Sequence, residues 1–149
     1  SGKQKVLGVI CRGTDYLALK PSGHPVQPST EQVIKACKEY IKRDGYDAIY
    51  LATEECKIRD EFEKAFPGKI LENKRVYYDD IYDQDDSIAY IKDVHFEREN
   101  DRYLSGLEYL SSIILLSRCS ALVGGTLGAL FFNDEQYQFV HVFDLGLYP

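Results

Sequence analysis

No stretch of this 149-residue chain approaches the ~20 consecutive apolar residues that span a bilayer, and the N-terminus lacks the apolar centre of a secretory leader. No transmembrane segment is expected, and a cytoplasmic location is. Methionine is absent throughout, even at position 1. With Ser1-Gly2 resembling a cloning remnant, the chain is expected to be an excised piece of a longer protein. No C-x-x-C pair joins the four cysteines, Cys11, Cys37, Cys56 and Cys119, which suits neither a zinc site nor a disulfide framework. Reduced and mostly buried thiols are expected instead. No basic patch offsets the net charge of -6 or the pI near 5.1, so nucleic acid and anionic membranes are not expected as partners. No internal repeat or linker divides the chain.

What is present reads as ordinary globular protein: 44% apolar and 28% charged residues with few Pro and Gly. That length suits one domain over 1–149, burying roughly two-thirds of its unfolded surface. Lys5 to Cys11 is a short apolar run, as in a strand buried on both faces. After a loop containing Pro21, Gly23, Pro25 and Pro28, Ser29 or Thr30 caps a helix with Val33, Ile34, Cys37 and Ile41 on its apolar side, ended by Gly45. Asp47 to Thr53 is a second strand. Ile58, Phe62 and Phe66 mark a second helix closed by Pro67-Gly68, and Lys69 to Leu71 a short third strand. Residues 73–101, acidic and tyrosine-rich, read as a long loop. Asn100 or Asp101 then caps a third helix whose expected apolar face is Leu104, Leu107, Leu110, Ile113, Ile114 and Leu116. Ala121-Leu122-Val123 is a strand entering Gly124-Gly125-Thr126, with a helix expected from Leu127 to Phe132 and a closing strand over 139–143. Strands alternating with helices predict an α/β fold with a doubly wound, mostly parallel, Rossmann-like sheet.

Ligands of such sheets bind beyond the carboxyl ends of the strands, near the reversal of strand order. Three strand ends are informative: Arg12-Gly13-Thr14-Asp15-Tyr16, Thr53-Glu54-Glu55, and Gly124-Gly125-Thr126. A guanidinium matches phosphate oxygens, Gly13 permits close backbone approach, and a helix opening after Gly125 offers free N–H groups to an anion. Together they describe a diphosphate cradle. Each part also has a purely structural reading. Arg12 could pair with Asp15 or Glu54, the glycine turn could be a plain strand-to-helix turn, and Glu54 and Glu55 could serve the dipole of the following helix. His24, His95 and His141 stand apart from one another and form no metal set, so no metal is expected.

Leu7-Gly8-Val9-Ile10-Cys11-Arg12-Gly13-Thr14-Asp15-Tyr16 is similar to the donor-binding motif of the GDP-fucose-dependent fucosyltransferases of the core α-1,6, nodulation and α-1,2 types. Ile49 to Glu55 resembles the V-Y-L-A-T-D-D segment of the core enzymes, and Ile114 to Thr126 resembles their third motif, a helix leading to L-V and a small-residue turn. The order agrees over about 120 residues, and the whole chain also resembles bacterial proteins of this type found with surface-polysaccharide genes. The resemblance implies the C-terminal, donor-binding lobe of a GT-B fold. It implies a GDP-fucose donor, a glycan acceptor and metal-independent transfer with inversion, without a further cofactor. Arg12 and Asp15 match the motif's catalytic positions, with Arg12 on the β-phosphate. Gly13, Thr14, Tyr16, Thr53, Glu54, Gly124, Gly125 and Thr126 fall on donor-binding segments. Ile10 stands where the family has its guanine-reading histidine, and Ser112, with Glu108 one turn away, where it has an acidic residue.

A different class of reading is a non-catalytic nucleotide-binding or interaction module with the same cradle. A phospho-receiver domain needs an acidic pair where the first strand here ends in Cys11-Arg12. A cysteine phosphatase needs a C-x₅-R spacing that Cys11 does not begin.

Overall fold

The computed structural model describes residues 4–13, 19–73, 75–77, 98–125 and 136–149. Five parallel strands form one sheet: β1 (Val6–Ile10), β2 (Ala48–Ala52), β3 (Ile70–Leu71), β4 (Ala121–Gly124) and β5 (Val140–Val142). Their spatial order is β3-β2-β1-β4-β5, and every pairing is parallel. Three helices are described: α1 (Thr30–Asp44), α2 (Cys56–Ala65) and α3 (Asp101–Ser117). From β1 the chain steps outward to β2 and β3 through α1 and α2, then crosses back through α3 to β4. Right-handed crossovers place helices made in opposite directions on opposite faces. The sheet is accordingly covered on both sides, and the expected α/β, Rossmann-like arrangement holds.

The two faces are unequal. Leu7 and Val9 of β1, Ile49 and Leu51 of β2, and Ala121 and Val123 of β4 meet Val33 and Cys37 of α1 and Ile58 and Phe62 of α2 in the larger core. On the other face Tyr50, Leu122 and Leu116 join Cys119 and Tyr137 in a smaller one. Alternation along a strand explains the division, since neighbouring side chains point to opposite faces. Gly8 falls on the smaller side, where a Cβ would lie 2.6 Å from Leu122 Cδ2 and 3.1 Å from the Cys119 side chain. A larger residue there would displace the Leu122 side chain and crowd Cys119.

Local signals set the first two helices. Ser29 is the N-cap of α1, and with Gln32 it forms a reciprocal capping box. Gly45 closes α1 in the left-handed region at φ 70°, where a residue without Cβ is unstrained. The third helix departs from expectation. Asn100 precedes it at φ 58° without a side-chain cap. Of the six residues expected to form its buried face only Leu116 is buried, alongside Ser112; Leu107, Leu110 and Ile114 are exposed. A polar network adjoins the apolar contact that Leu116 and Ile113 make. Tyr50 donates to Asn73 Oδ1 at 2.7 Å, Ser112 donates to the same oxygen at 3.3 Å, and Asn73 Nδ2 donates to the Glu108 carbonyl at 3.4 Å. Glu108 pairs with Arg98 at 2.7 Å, and Arg98 with Asp101 at 2.9 Å. Because these buried groups are hydrogen-bonded, the helix can turn a polar stripe inward.

Candidate functional site

The sheet register decides which strand ends meet. Ile10 is level with Ala52 on one side and with Gly124 on the other, each about one strand spacing, or 4.8 Å, away. The amide of Cys11 still donates to the Ala52 carbonyl at 3.2 Å, so Arg12 leaves the sheet directly beyond that level. Arg12, Thr53-Glu54 and Gly124-Gly125 therefore emerge together at the carboxyl edge. Strand order reverses between β1 and β4, which is where ligands of such sheets bind. The Arg12 side chain is exposed there.

The neighbouring residues have assignments of their own. Gly13 is buried, and a Cβ on it would lie 3.3 Å from Ile58 Cδ1 and 3.4 Å from Glu55 Oε1. Its bare side thus accommodates the first turn of α2. Thr53, also buried, accepts the amide of Glu55 at 3.3 Å and so steadies the chain as it enters α2, whose N-cap is Glu55. Glu54 is half-buried between them. Thr14, Asp15, Tyr16 and Thr126, with the helix expected over 127–132 and His95, lie outside the described residues.

Gly125 has a partner that sequence reasoning missed. A Cβ there would collide with Gln27 Oε1 and come within 3.0 Å of Pro28 Cδ. The loop ahead of α1 thus folds back onto the exit of β4. The C-terminal tail holds it in place. Gly23 donates to the Tyr148 carbonyl and Tyr148 to the His24 carbonyl, both at 2.9 Å, and Val26 donates to the Gly146 carbonyl at 2.9 Å. The Gln27 amide reaches the Tyr148 hydroxyl at 3.4 Å. Pro25 and Leu147 form the antiparallel bridge at the centre of this strap. The Pro-rich loop carrying His24 is therefore brought to the carboxyl edge by chain-end pairing over more than 100 residues, a contact with no local sequence signal.

Other chemistry-bearing residues lie elsewhere. His141 sits on edge strand β5, hydrogen-bonded through Nδ1 to the Tyr40 hydroxyl at 2.5 Å and stacked on Phe143. All four cysteines are free thiols. Burial pushes Cys11, Cys37 and Cys119 up to about 12, which leaves them protonated and unreactive at neutral pH. Cys56 differs: it is partly exposed at the start of α2, with Arg59 Nη2 3.1 Å from its sulfur. Ser112 and Glu108, at the acidic position of the resembled motif, belong to the network between α3 and Asn73. Among the described residues no group of three or more His, Cys, Asp or Glu is arranged to hold a metal ion, and no helix is long and apolar enough to cross a membrane.

No protein-family model matches the chain. No curated protein matches it either. The functional reading therefore rests on the residues at the carboxyl edge and on the motifs they form.

Proposed function

We propose that this domain binds the diphosphate of a nucleoside diphosphate sugar across the carboxyl ends of β1 and β4, as the donor lobe of a fucosyltransferase-like enzyme of GT-B type. The observation that carries the reading is the register setting Ile10 level with Gly124, so that Arg12 and Gly125 follow the ends of the two strands between which strand order reverses. A guanidinium at that edge can make two parallel charge-assisted hydrogen bonds to phosphate oxygens. In transfer to a sugar hydroxyl with inversion, negative charge grows on the departing diphosphate as the anomeric C–O bond breaks. A fixed cation at that oxygen lowers the barrier, with a typical worth of ~10²–10³ in rate. Arg12 is the residue we assign to that role, and Asp15 joins it on the strength of the motif alone. The general base and the glycan acceptor site are assigned to the remainder of the enzyme.

Calorimetric titration of the chain with GDP and GDP-fucose tests the reading. Removing one charged hydrogen-bonding partner of a ligand costs about 1.5–3 kcal/mol, so Arg12→Ala should weaken GDP by roughly 10- to 150-fold. Equal affinity of the two proteins for GDP, or heat from neither nucleotide, would refute it. A second reading, a non-catalytic module with the same cradle, is favoured by the structural employment of Thr53, Ser112 and Glu108. It predicts the same loss on binding but no sugar transfer by the parent protein.

A further inference from the structure

The segment after β5 is built to return to the carboxyl edge. Phe143 donates to the Gly124 carbonyl at 2.9 Å, so the chain leaves the sheet alongside the exit of β4. The Asp144 carboxylate then accepts the Gly146 amide at 3.4 Å, a side-chain turn that bends the backbone. Gly146 completes the bend at φ 82°, where a residue with a Cβ is strained. Beyond it Leu147 lies opposite Pro25, between the hydrogen bonds that Val26 donates to Gly146 and Tyr148 to His24. The Tyr148 side chain is buried, and its hydroxyl accepts the Gln27 amide at 3.4 Å. These contacts close a ring around one turn. Phe143 holds Gly124 from the tail side, Gln27 and Pro28 rest on Gly125 from the loop side, and the strap joins the two sides.

We propose that Tyr148 is a positioning residue of the diphosphate site: through Gln27 it sets the Gly125 peptide where the phosphate oxygens of a nucleoside diphosphate are bound. The inference rests on the diphosphate reading and adds to it a dependence on the tail, far in sequence from every motif residue before Gly124. Sheet pairing stops at Gly124, and among the described residues it is this ring that bears on the Gly125 peptide. Donors fixed in advance bind an anion without the ordering cost that a loose turn incurs. With the strap open, the loop ahead of α1 is also released, and its ordering falls on the binding step. The expected effect of opening the strap is about tenfold weaker binding, the lower bound for one charged hydrogen bond.

The strap can also be locked from outside the core. Pro25 and Leu147 are both exposed and face each other as an antiparallel pair without mutual hydrogen bonds. The Cα atoms of such a pair are about 4.5 Å apart, within the reach of a disulfide. Pro25→Cys with Leu147→Cys therefore gives a clamp that oxidation closes and reduction opens, in a Cys56→Ser background that removes the one partly exposed native thiol.

Calorimetric titration with GDP, at a temperature where circular dichroism shows each variant folded, tests the proposal. A tail that only stabilised the fold would leave affinity unmoved under those conditions. Tyr148→Ala should bind GDP about tenfold more weakly than the parent, while Tyr148→Phe, which keeps the buried ring and loses only the hydroxyl contact, should stay within about threefold. Gly146→Val serves if Tyr148→Ala folds poorly. Gly146 is exposed, with nothing within 4 Å of a Cβ, so this change strains the strap through φ alone, and the same tenfold loss is expected. Adding the oxidised clamp to Tyr148→Ala should bring affinity back to within about threefold of the parent, and reduction should remove the gain. Unchanged GDP affinity in either folded strap variant, or an oxidised clamp that raises Tm without restoring binding, would overturn the role of Tyr148 and leave the diphosphate reading standing. A parent that gives no heat with GDP would overturn both.

Discussion

Replacing Gly125 by alanine separates two reasons for glycine at the exit of β4. Gly125 is not among the glycines with positive φ, so the backbone itself accepts a Cβ. On conformational entropy alone the change would stabilise by about 0.4–1 kcal/mol. The opposing effect is steric. The new methyl would overlap Gln27 Oε1 and approach Pro28 Cδ to 3.0 Å, and Gln27 is held by the strap between residues 23–27 and the C-terminal tail. Overpacking of this kind costs about 1–3 kcal/mol, so the middle of the two ranges gives a net loss of about 1.3 kcal/mol, or about 3–5 °C in Tm for a chain of this size. Thermal and urea unfolding would measure it. Gln27→Ala removes the principal collision, so Gln27→Ala with Gly125→Ala should be more stable than the two single effects summed, by about 1–2 kcal/mol. An unchanged or raised Tm for Gly125→Ala alone, or strict additivity of the pair, would refute the packing argument. If the double variant folds but binds GDP poorly, glycine is required at this position by the ligand as well.

Arg98→Ala should destabilise by about 1.5–3 kcal/mol, because the little-exposed carboxylates of Glu108 and Asp101 each lose a charged hydrogen-bond donor; urea unfolding should show a smaller loss when Glu108→Gln is added. The buried thiols predict alkaline sensitivity. Cys11, Cys37 and Cys119 are raised by desolvation from an ordinary 9.0 to about 12, so their contribution is fully present below about pH 9 and is lost as pH rises toward 12. Together they can remove up to about 4 kcal/mol per pH unit within that window. Tm should fall steeply above pH 9, and less steeply in Cys37→Ala; a flat profile between pH 9 and 10 would contradict the burial of these thiols. For the same reason a disulfide reagent at pH 8 should modify Cys56 quickly and the other three only on unfolding.

Much of the fold was legible because its signals are local. The apolar run of β1, the Ser29 capping box, Gly45 at the end of α1, and Ile58 and Phe62 on α2 each act within a few residues of themselves. So did the reading of Arg12 and Gly124-Gly125 as strand-end residues, since strand ends follow from where the apolar runs stop. The buried side of α3 was not legible. Its apolar spacing is a genuine helical stripe, but whether a stripe faces a core depends on what the opposite stripe can bond. Here Ser112 and Glu108 find Asn73 and Arg98 at separations of 39 and 10 residues, and those bonds turn the leucines outward.

By itself the amino-acid sequence determined the strands and helices and the side-chain chemistry at each strand end, because hydrophobic periodicity and capping are properties of short segments. Only the tertiary structure decided that β1 lies between β2 and β4, that Gln27 packs against Gly125, and that the tail straps the loop before α1. Each of these is a pairing between distant segments. Its free energy depends on shape and hydrogen bonding that exist only once both partners are in place.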